Sequence, residues 1–352
     1  MSERLSQLPD ERSVLVAQAA EWNAVNGRRI PADYIEKDFW VTEALRSLAK
    51  PFVQEVTGEG GGDPGTLRAI IVFKGGTSLS KAYGLINRFS EDIDLFAHVT
   101  FQRMDTNGKG AVFDEVPVGS GRADKAFELL AERAGSDIGL AVVPYADKDA
   151  RSGTRRAYQA DYAGGKAVVG ALKPVILIEL TRMGNPQPNE SRVIESLVAT
   201  YVREAGVQNA DFAEFATFYI AVLGPHRTLV EKLCALEYTG LQVADGDREF
   251  TRMARHFYDV GSLLGSPPVV SALKADDVAA MAHDHFELSS KVRRVTGARP
   301  ADGFANSSWI INSGVALKAK EAYDAEVPEL TYAGHPTFEE IQNIVRDSAS
   351  FL

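Results

Sequence analysis

Apolar positions along the chain recur at two periods, and the switch between them divides it. Over residues 11–26 and 33–49 they return every three to four places, in the second stretch at Val41, Ala44, Leu45 and Leu48. That spacing predicts two opening helices, the second capped by Asp33 and stopped by Pro51. The glycine-rich stretch at 58–65 cannot hold regular structure and predicts a flexible connection. Next comes an apolar run, Ala69-Ile70-Ile71-Val72-Phe73, which ends in Lys74-Gly75-Gly76 and predicts a strand entering a tight turn. Leu79, Ala82, Tyr83 and Ile86 restore the helical period, and Asp92-Ile93-Asp94-Leu95-Phe96 alternates as a strand. A helix over 123–134, two strands of a hairpin or meander over 138–145 and 156–162, and an apolar strand over 174–181 follow. From His226 onward the period is helical, with Leu229, Leu233 and Leu236 inward and a further helix over 248–264. Strands interleaved with helices and then a helical tail predict an α/β protein, divided into lobes over 1–224 and 225–352.

Chemistry concentrates where the first strand turns. Gly75, Gly76, Thr77 and Ser78 stand at a helix N-terminus, whose backbone N–H groups can face an anion, and Lys74 precedes them. Alternation puts Asp92 and Asp94 on one face of their strand, about 6.5–7 Å apart. Two carboxylates so placed repel unless a cation lies between them, and Mg²⁺ shared with substrate phosphates suits a site with few protein ligands. The plainer reading is a solvated edge strand. Glu179 interrupts an otherwise apolar strand and needs a cation, either a metal or an arginine such as Arg182. A phosphate on Ser90 would add about 1.5 to 2 negative charges two residues from Asp92 and compete with substrate phosphates for the metal.

Other polar groups read more weakly. Arg151, Arg155 and Arg156 form a solvated tip or a contact for a polynucleotide backbone. The helix over 34–41 reads as an amphipathic support with a solvated charged face. Arg252, Arg255 and Asp259 share a helix face that is either an ion-pair ladder or a wall of a polyphosphate site. Lys291, Arg293, Arg294 and Arg299 precede Trp309, a pattern of helix surface or of RNA contact with stacking. His283-Asp284-His285 reads as solvated. The 38 basic residues against 48 acidic give a net charge of −10, which argues against coating nucleic acid by bulk electrostatics. A single cysteine, Cys234, rules out an internal disulfide and suits a reducing cytoplasm. Neither a signal peptide nor a membrane span is expected.

Lys74-Gly75-Gly76-Thr77-Ser78-Leu79 followed by Phe89-Ser90-Glu91-Asp92-Ile93-Asp94-Leu95 resembles the signature of the AbiEii-type nucleotidyltransferase toxins, relatives of the mycobacterial MenT toxins. These belong to the polymerase-beta-like nucleotidyltransferase superfamily, in which the gap between glycine turn and Asp pair is usually shorter. Tyr34 to Val41, Glu231-Lys232-Leu233 and Arg255 to Val260 resemble further family segments, so the likeness runs from Ile35 to Val260. It implies a nucleotidyltransferase lobe with a mixed sheet, a mainly helical C-terminal lobe, and an active site in the cleft between them. Asp92 and Asp94, with Glu179 from a later strand, are then expected to hold Mg²⁺, with Mn²⁺ as an alternative. Lys232 is expected to meet the nucleotide's phosphates together with Arg255, and Asp259 to orient or deprotonate the attacking hydroxyl. The implied reaction is transfer from an NTP to RNA, at the 3′ end of tRNA, which blocks translation, and a cognate antitoxin is expected in the cell. A metal-dependent nuclease or phosphohydrolase using the same acids, and a non-catalytic nucleotide-binding protein, are the other classes that the residues allow.

Overall fold

The computed structural model describes residues 4–57, 64–90, 92–104, 112–146, 153–162, 174–208, 211–290 and 299–352. Among these, nine strands form one mixed sheet: β1 Phe52–Val56, β2 Gly65–Lys74, β3 Asp92–Arg103, β4 Asp114–Glu115, β5 Val142–Pro144, β6 Arg155–Asp161, β7 Val175–Thr181, β8 Asn189–Ile194 and β9 Phe218–Leu223. The main order is β5-β6-β7-β3-β2-β9-β8, with β1 paired to β2 and β4 to β3. At its centre β3 runs antiparallel to β2 and parallel to β7. The chain clusters into two compact units. The first comprises Met1–Thr77, Glu91–Arg182 and Ser191–Val222; the second comprises Ser78–Ser90, Met183–Glu190 and Leu223–Leu352.

In the first unit, helices α1 Pro9–Val25 and α2 Ala32–Leu48 realise the two opening periodic stretches. The chain then passes through α3, Gly75–Lys81, and returns to form α4, Gly121–Ile138, and α5, Leu197–Ala205. Helices α2 and α4 pack on each other and over the sheet. Ile93, Leu95, Ile176, Ile178 and Leu180 are fully buried, while Asp92, Asp94, Leu177 and Glu179 alternate with them and keep partial exposure. The strand holding Glu179 is therefore half-buried by alternation and not buried on both faces.

Other differences from the sequence reading have local causes. Helix α3 ends at Lys81 because Gly84, at φ 62°, turns the chain before the apolar stripe is complete. Ile138 closes α4 at the left-handed Gly139 and leaves only Val142–Pro144 as strand. Strand β1 follows Pro51 directly; three exposed positions in five residues hid it from the periodicity. Most of the glycine-rich stretch at 58–65 lies outside the described residues. The charged face expected on α2 is not solvated, because α1, α4 and α5 all pack around that helix. Lys37, Asp38 and Glu43 are buried there, and Asp38 accepts the Leu197 N–H at 2.7 Å at the start of α5.

The second unit is helical: α6 Pro225–Ala244, α7 Ala254–Leu264, α8 Pro267–Ala275, α9 Val278–Ser290, α10 Ser308–Ile311, α11 Ser313–Leu330 and α12 Phe338–Asp347. Leu229, Leu233 and Leu236 face its core as expected, beside an aromatic cluster in which Phe257 meets Phe250, Trp309 and Phe338 at 5.0–5.3 Å between ring centroids. Trp309 is fully buried and cannot stack on RNA, while Arg299 donates from Nε to the Leu352 carbonyl at 2.8 Å. Lys291, Arg293 and Arg294 lie outside the described residues. The His283 to His285 triplet is helical, within α9, and Asp284 accepts from Arg227 at 2.8 Å and from Asn185 at 3.0 Å. Among the described residues no helix is long and apolar enough to cross a membrane.

A buried acid pair ties the N-terminal turn to α2. Glu214 accepts the N–H groups of Leu5 and Ser6 at 3.2 and 3.0 Å, whereas Glu43 meets Arg46 Nε at 3.0 Å and Arg4 at 3.8 Å. Desolvation outweighs the arginines at Glu43 and pushes its pKa from 4.5 up to about 7, with Glu214 adding to the rise. A carboxyl whose folded pKa exceeds its unfolded one stabilises the fold below the unfolded value, and that contribution is lost as pH rises through the folded value. Thermal melting should therefore show wild type losing about 3 kcal/mol relative to Glu43→Gln between pH 4.5 and 8. Parallel curves for the two proteins would contradict the assignment.

Candidate active site

The register of three strands assembles an acidic row in the first unit. Lys74 on β2 is opposite Asp94 on β3, and Asp94 is opposite Glu179 on β7, so the three side chains stand side by side on one face. Asp92 is two residues earlier on the same face, opposite Leu177. Thr77, on the first turn of α3, donates its hydroxyl to the Asp92 carbonyl and ties the glycine turn to the start of β3. Gly75 makes the close approach that this arrangement needs. Its φ is 79°, and a Cβ added there would lie 2.0 Å from Asp94 Oδ2.

Glu179 already has a cation. Arg155 on β6 donates from Nη2 to its Oε2 at 2.8 Å. Arg182, the partner suggested by sequence proximity, instead bonds the Val116 and Pro117 carbonyls, because it leaves β7 on the side where the chain enters α4. Of the arginine cluster, Arg155 is thus committed to Glu179 and Arg156 to Asp124 at 3.2 Å, while Arg151 lies outside the described residues. Among the described residues no group of three His, Cys, Asp or Glu side chains gathers as a metal-binding set. The donor set on β3 is two carboxylates, which fits a divalent cation such as Mg²⁺, an ion that keeps several waters and takes further oxygens from phosphates.

The second unit holds a separate buried cluster. Asp259 on α7 is fully buried and accepts a two-point contact from Arg88: Nε to Oδ1 at 2.6 Å and Nη2 to Oδ2 at 2.7 Å. Lys232 on α6 reaches the same Oδ2 at 2.8 Å. Burial alone would raise the Asp259 pKa, but Arg88 and Lys232 together hold it well below the usual carboxylate range. Burial pulls the Lys232 pKa below the ordinary lysine value, and Asp259 opposes that pull. A carboxylate with both oxygens engaged by cations is a poor proton acceptor, so the deprotonating role expected of Asp259 does not suit its surroundings. His256, beside this cluster, is held neutral by burial and by Lys232.

The family resemblance alone marks Lys232 as a site residue, and nothing in the sequence marks Arg88. Without that resemblance Lys232 would read as a surface lysine on the flank of α6, yet only 7% of its side chain is exposed. Arg88 carries no signal of its own in the sequence; a fully buried Asp259 is what demands its fork. Thr77 and Ser78 are buried, Arg255 is half-buried on α7, and Ser90 is 9% exposed, so modification of its hydroxyl requires local opening.

Gly75 offers a direct check on the Asp94 contact. Gly75→Ala should cost about 2–3 kcal/mol in chemical denaturation, backbone strain plus the displaced carboxylate, whereas Gly27→Ala should cost about 1, because Gly27 has a similar φ of 78° and open space around it. Equal losses would show that Asp94 does not lean on the turn.

Comparison with known proteins gives a family and a fold. The AbiEii family, described as nucleotidyl transferase toxin of a type IV toxin–antitoxin system, matches residues 64–343. Among solved structures the chain is similar to MenT4, a nucleotidyltransferase toxin from Mycobacterium tuberculosis H37Rv, with a TM-score of 0.51 and 18% identity over 97% of this chain and 88% of that one. That likeness concerns the fold. None of the curated proteins matches. The family match spans the glycine turn, both aspartates, Glu179, Lys232 and Asp259, and on it the chain belongs to the AbiEii nucleotidyltransferase toxins of type IV toxin–antitoxin systems.

Proposed function

We propose that the protein transfers a nucleotide from an NTP to the 3′ end of an RNA acceptor, tRNA by family likeness, in a reaction that depends on Mg²⁺ and releases pyrophosphate. The observation that carries this reading is the acidic pair on one face of β3, with Asp94 leaning on the Gly75 turn. Asp92 and Asp94 would hold the ion, which when bound supplies neutralising charge across the triphosphate. Glu179 is assigned to Arg155, since sharing it with an ion would weaken a 2.8 Å pair. Lys74, beside Asp94 in the register, limits the repulsion between the acids and adds positive charge on the side that would meet the phosphates.

Gly75, Gly76, Thr77 and Ser78 then present the turn to the triphosphate, and Lys232 with Arg255 balances charge as the bond to the leaving pyrophosphate lengthens. Phosphoryl chemistry of this kind is mostly positioning and charge stabilisation, which is why acids, bases and backbone N–H groups suffice without a nucleophilic side chain. Charging the tRNA end with extra nucleotides would stop aminoacylation and hence translation, and the cognate antitoxin would relieve that block. A phosphate on Ser90 would add negative charge two residues from Asp92 and oppose NTP binding.

Purified protein with total tRNA, Mg²⁺ and each labelled NTP in turn tests this on a sequencing gel. Lengthened tRNA is expected, and Asp92→Ala should lower the rate by at least about 100-fold. Shortened RNA, or an Asp92→Ala protein as active as wild type, would overturn the reading.

A further inference from the structure

In the second unit, the loop that follows α3 is fixed more firmly than a connection requires. The Asn87 N–H donates to the Tyr258 hydroxyl at 3.0 Å, the Phe89 N–H donates to the Leu330 carbonyl at 2.8 Å, and the Tyr332 N–H donates to the Asn87 carbonyl at 3.1 Å. Arg88 and Thr331 form an isolated antiparallel bridge, and the Phe89 and Tyr332 rings lie 5.3 Å apart. All of this holds the Arg88 backbone in one place. Its side chain runs inward with 1% exposure, gives Nη1 to the Phe89 carbonyl at 2.8 Å, and spends Nε and Nη2 on Asp259.

The stereochemistry of that contact matters for Lys232. A carboxylate held at one point can rotate about its Cβ–Cγ bond, and a lysine bonded to it follows. A guanidinium fork removes the rotation, because both oxygens must lie in the plane of the two N–H donors. Lys232 is a long, flexible side chain with three donors. With one donor committed to an immobile Oδ2, the direction of the other two is set.

We propose that Arg88 is a positioning residue: its fork locks the Asp259 carboxylate, and the locked carboxylate aims Lys232. This deepens the reading above, in which Lys232 serves the nucleotide's phosphates, and it assigns Asp259 to orientation. An Arg88→Lys change keeps the charge and loses the fork, so charge and geometry can be separated.

The test uses the full-length protein and the variants Arg88→Lys, Asp259→Asn and the double variant. Transfer kinetics give kcat and KM for NTP, circular dichroism gives Tm, and mass spectrometry gives the rate at which a lysine-acylating reagent labels Lys232, with buried Lys37 as internal control. Arg88→Lys should lower kcat at least about tenfold with KM within about threefold, and raise Lys232 labelling about tenfold while Lys37 stays protected. Its effect should vanish in the Asp259→Asn background, since the two act as a unit. A kcat within about twofold of wild type, unchanged Lys232 labelling, or losses that multiply in the double variant would overturn the proposal. If Arg88→Lys fails to fold, Arg88→Gln is read by the same criteria. If wild type transfers no nucleotide, the functional reading fails, and labelling alone decides Arg88: faster at Lys232 supports the lock, unchanged refutes it.

Discussion

The approach of the Asp94 carboxylate to the Gly75 backbone fixes how the glycine turn meets β3. A side chain at position 75 would fall inside van der Waals range of Oδ2, Cγ and Cβ of Asp94, and φ is positive, so space and backbone both require glycine. From that contact the rest of the row follows. The pairing of β2 with β3 places Lys74 beside Asp94, and the parallel pairing of β3 with β7 places Glu179 on the other side. Like charges so close are tolerated because Arg155 takes Glu179 and Lys74 flanks Asp94.

The second unit solves a different electrostatic problem. Asp259 is an ionised acid inside a hydrophobic core that includes Leu229, Leu233, Phe257 and Val260. Such a charge persists only with partners of matched geometry. Arg88 and Lys232 supply them, and removing either would leave a buried charge uncompensated. The cluster therefore stabilises the helices only as a complete set. That completeness gives Lys232 a defined position, which a solvated lysine with four rotatable bonds would lack.

Much of this was readable from sequence where a physical rule is local. Alternation placed Asp92 and Asp94 on one face, the glycine pair marked the turn, and the period at Leu229, Leu233 and Leu236 gave α6. The family segments pointed to Lys232 and Asp259. What escaped depended on partners distant in the chain. Sequence offers Glu179 a metal or Arg182, three residues on, whereas strand register brings it Arg155. Lys37 and Asp38 read as solvated because amphipathic spacing cannot reveal that α1, α4 and α5 enclose α2 on several sides. Arg88 was invisible for a related reason: an arginine in a polar loop looks exposed until the acid 171 positions later is known to be buried.

The proposed chemistry requires Asp92 and Asp94 to share one divalent cation next to the glycine turn. Crystals grown with Mn²⁺ and a non-hydrolysable NTP test that most directly through anomalous scattering from the metal. The expected result is a peak within about 2.1–2.2 Å of an oxygen from each of the two carboxylates, in contact with the triphosphate. A peak bound by other side chains, or nucleotide seated without either aspartate at the metal, would contradict it.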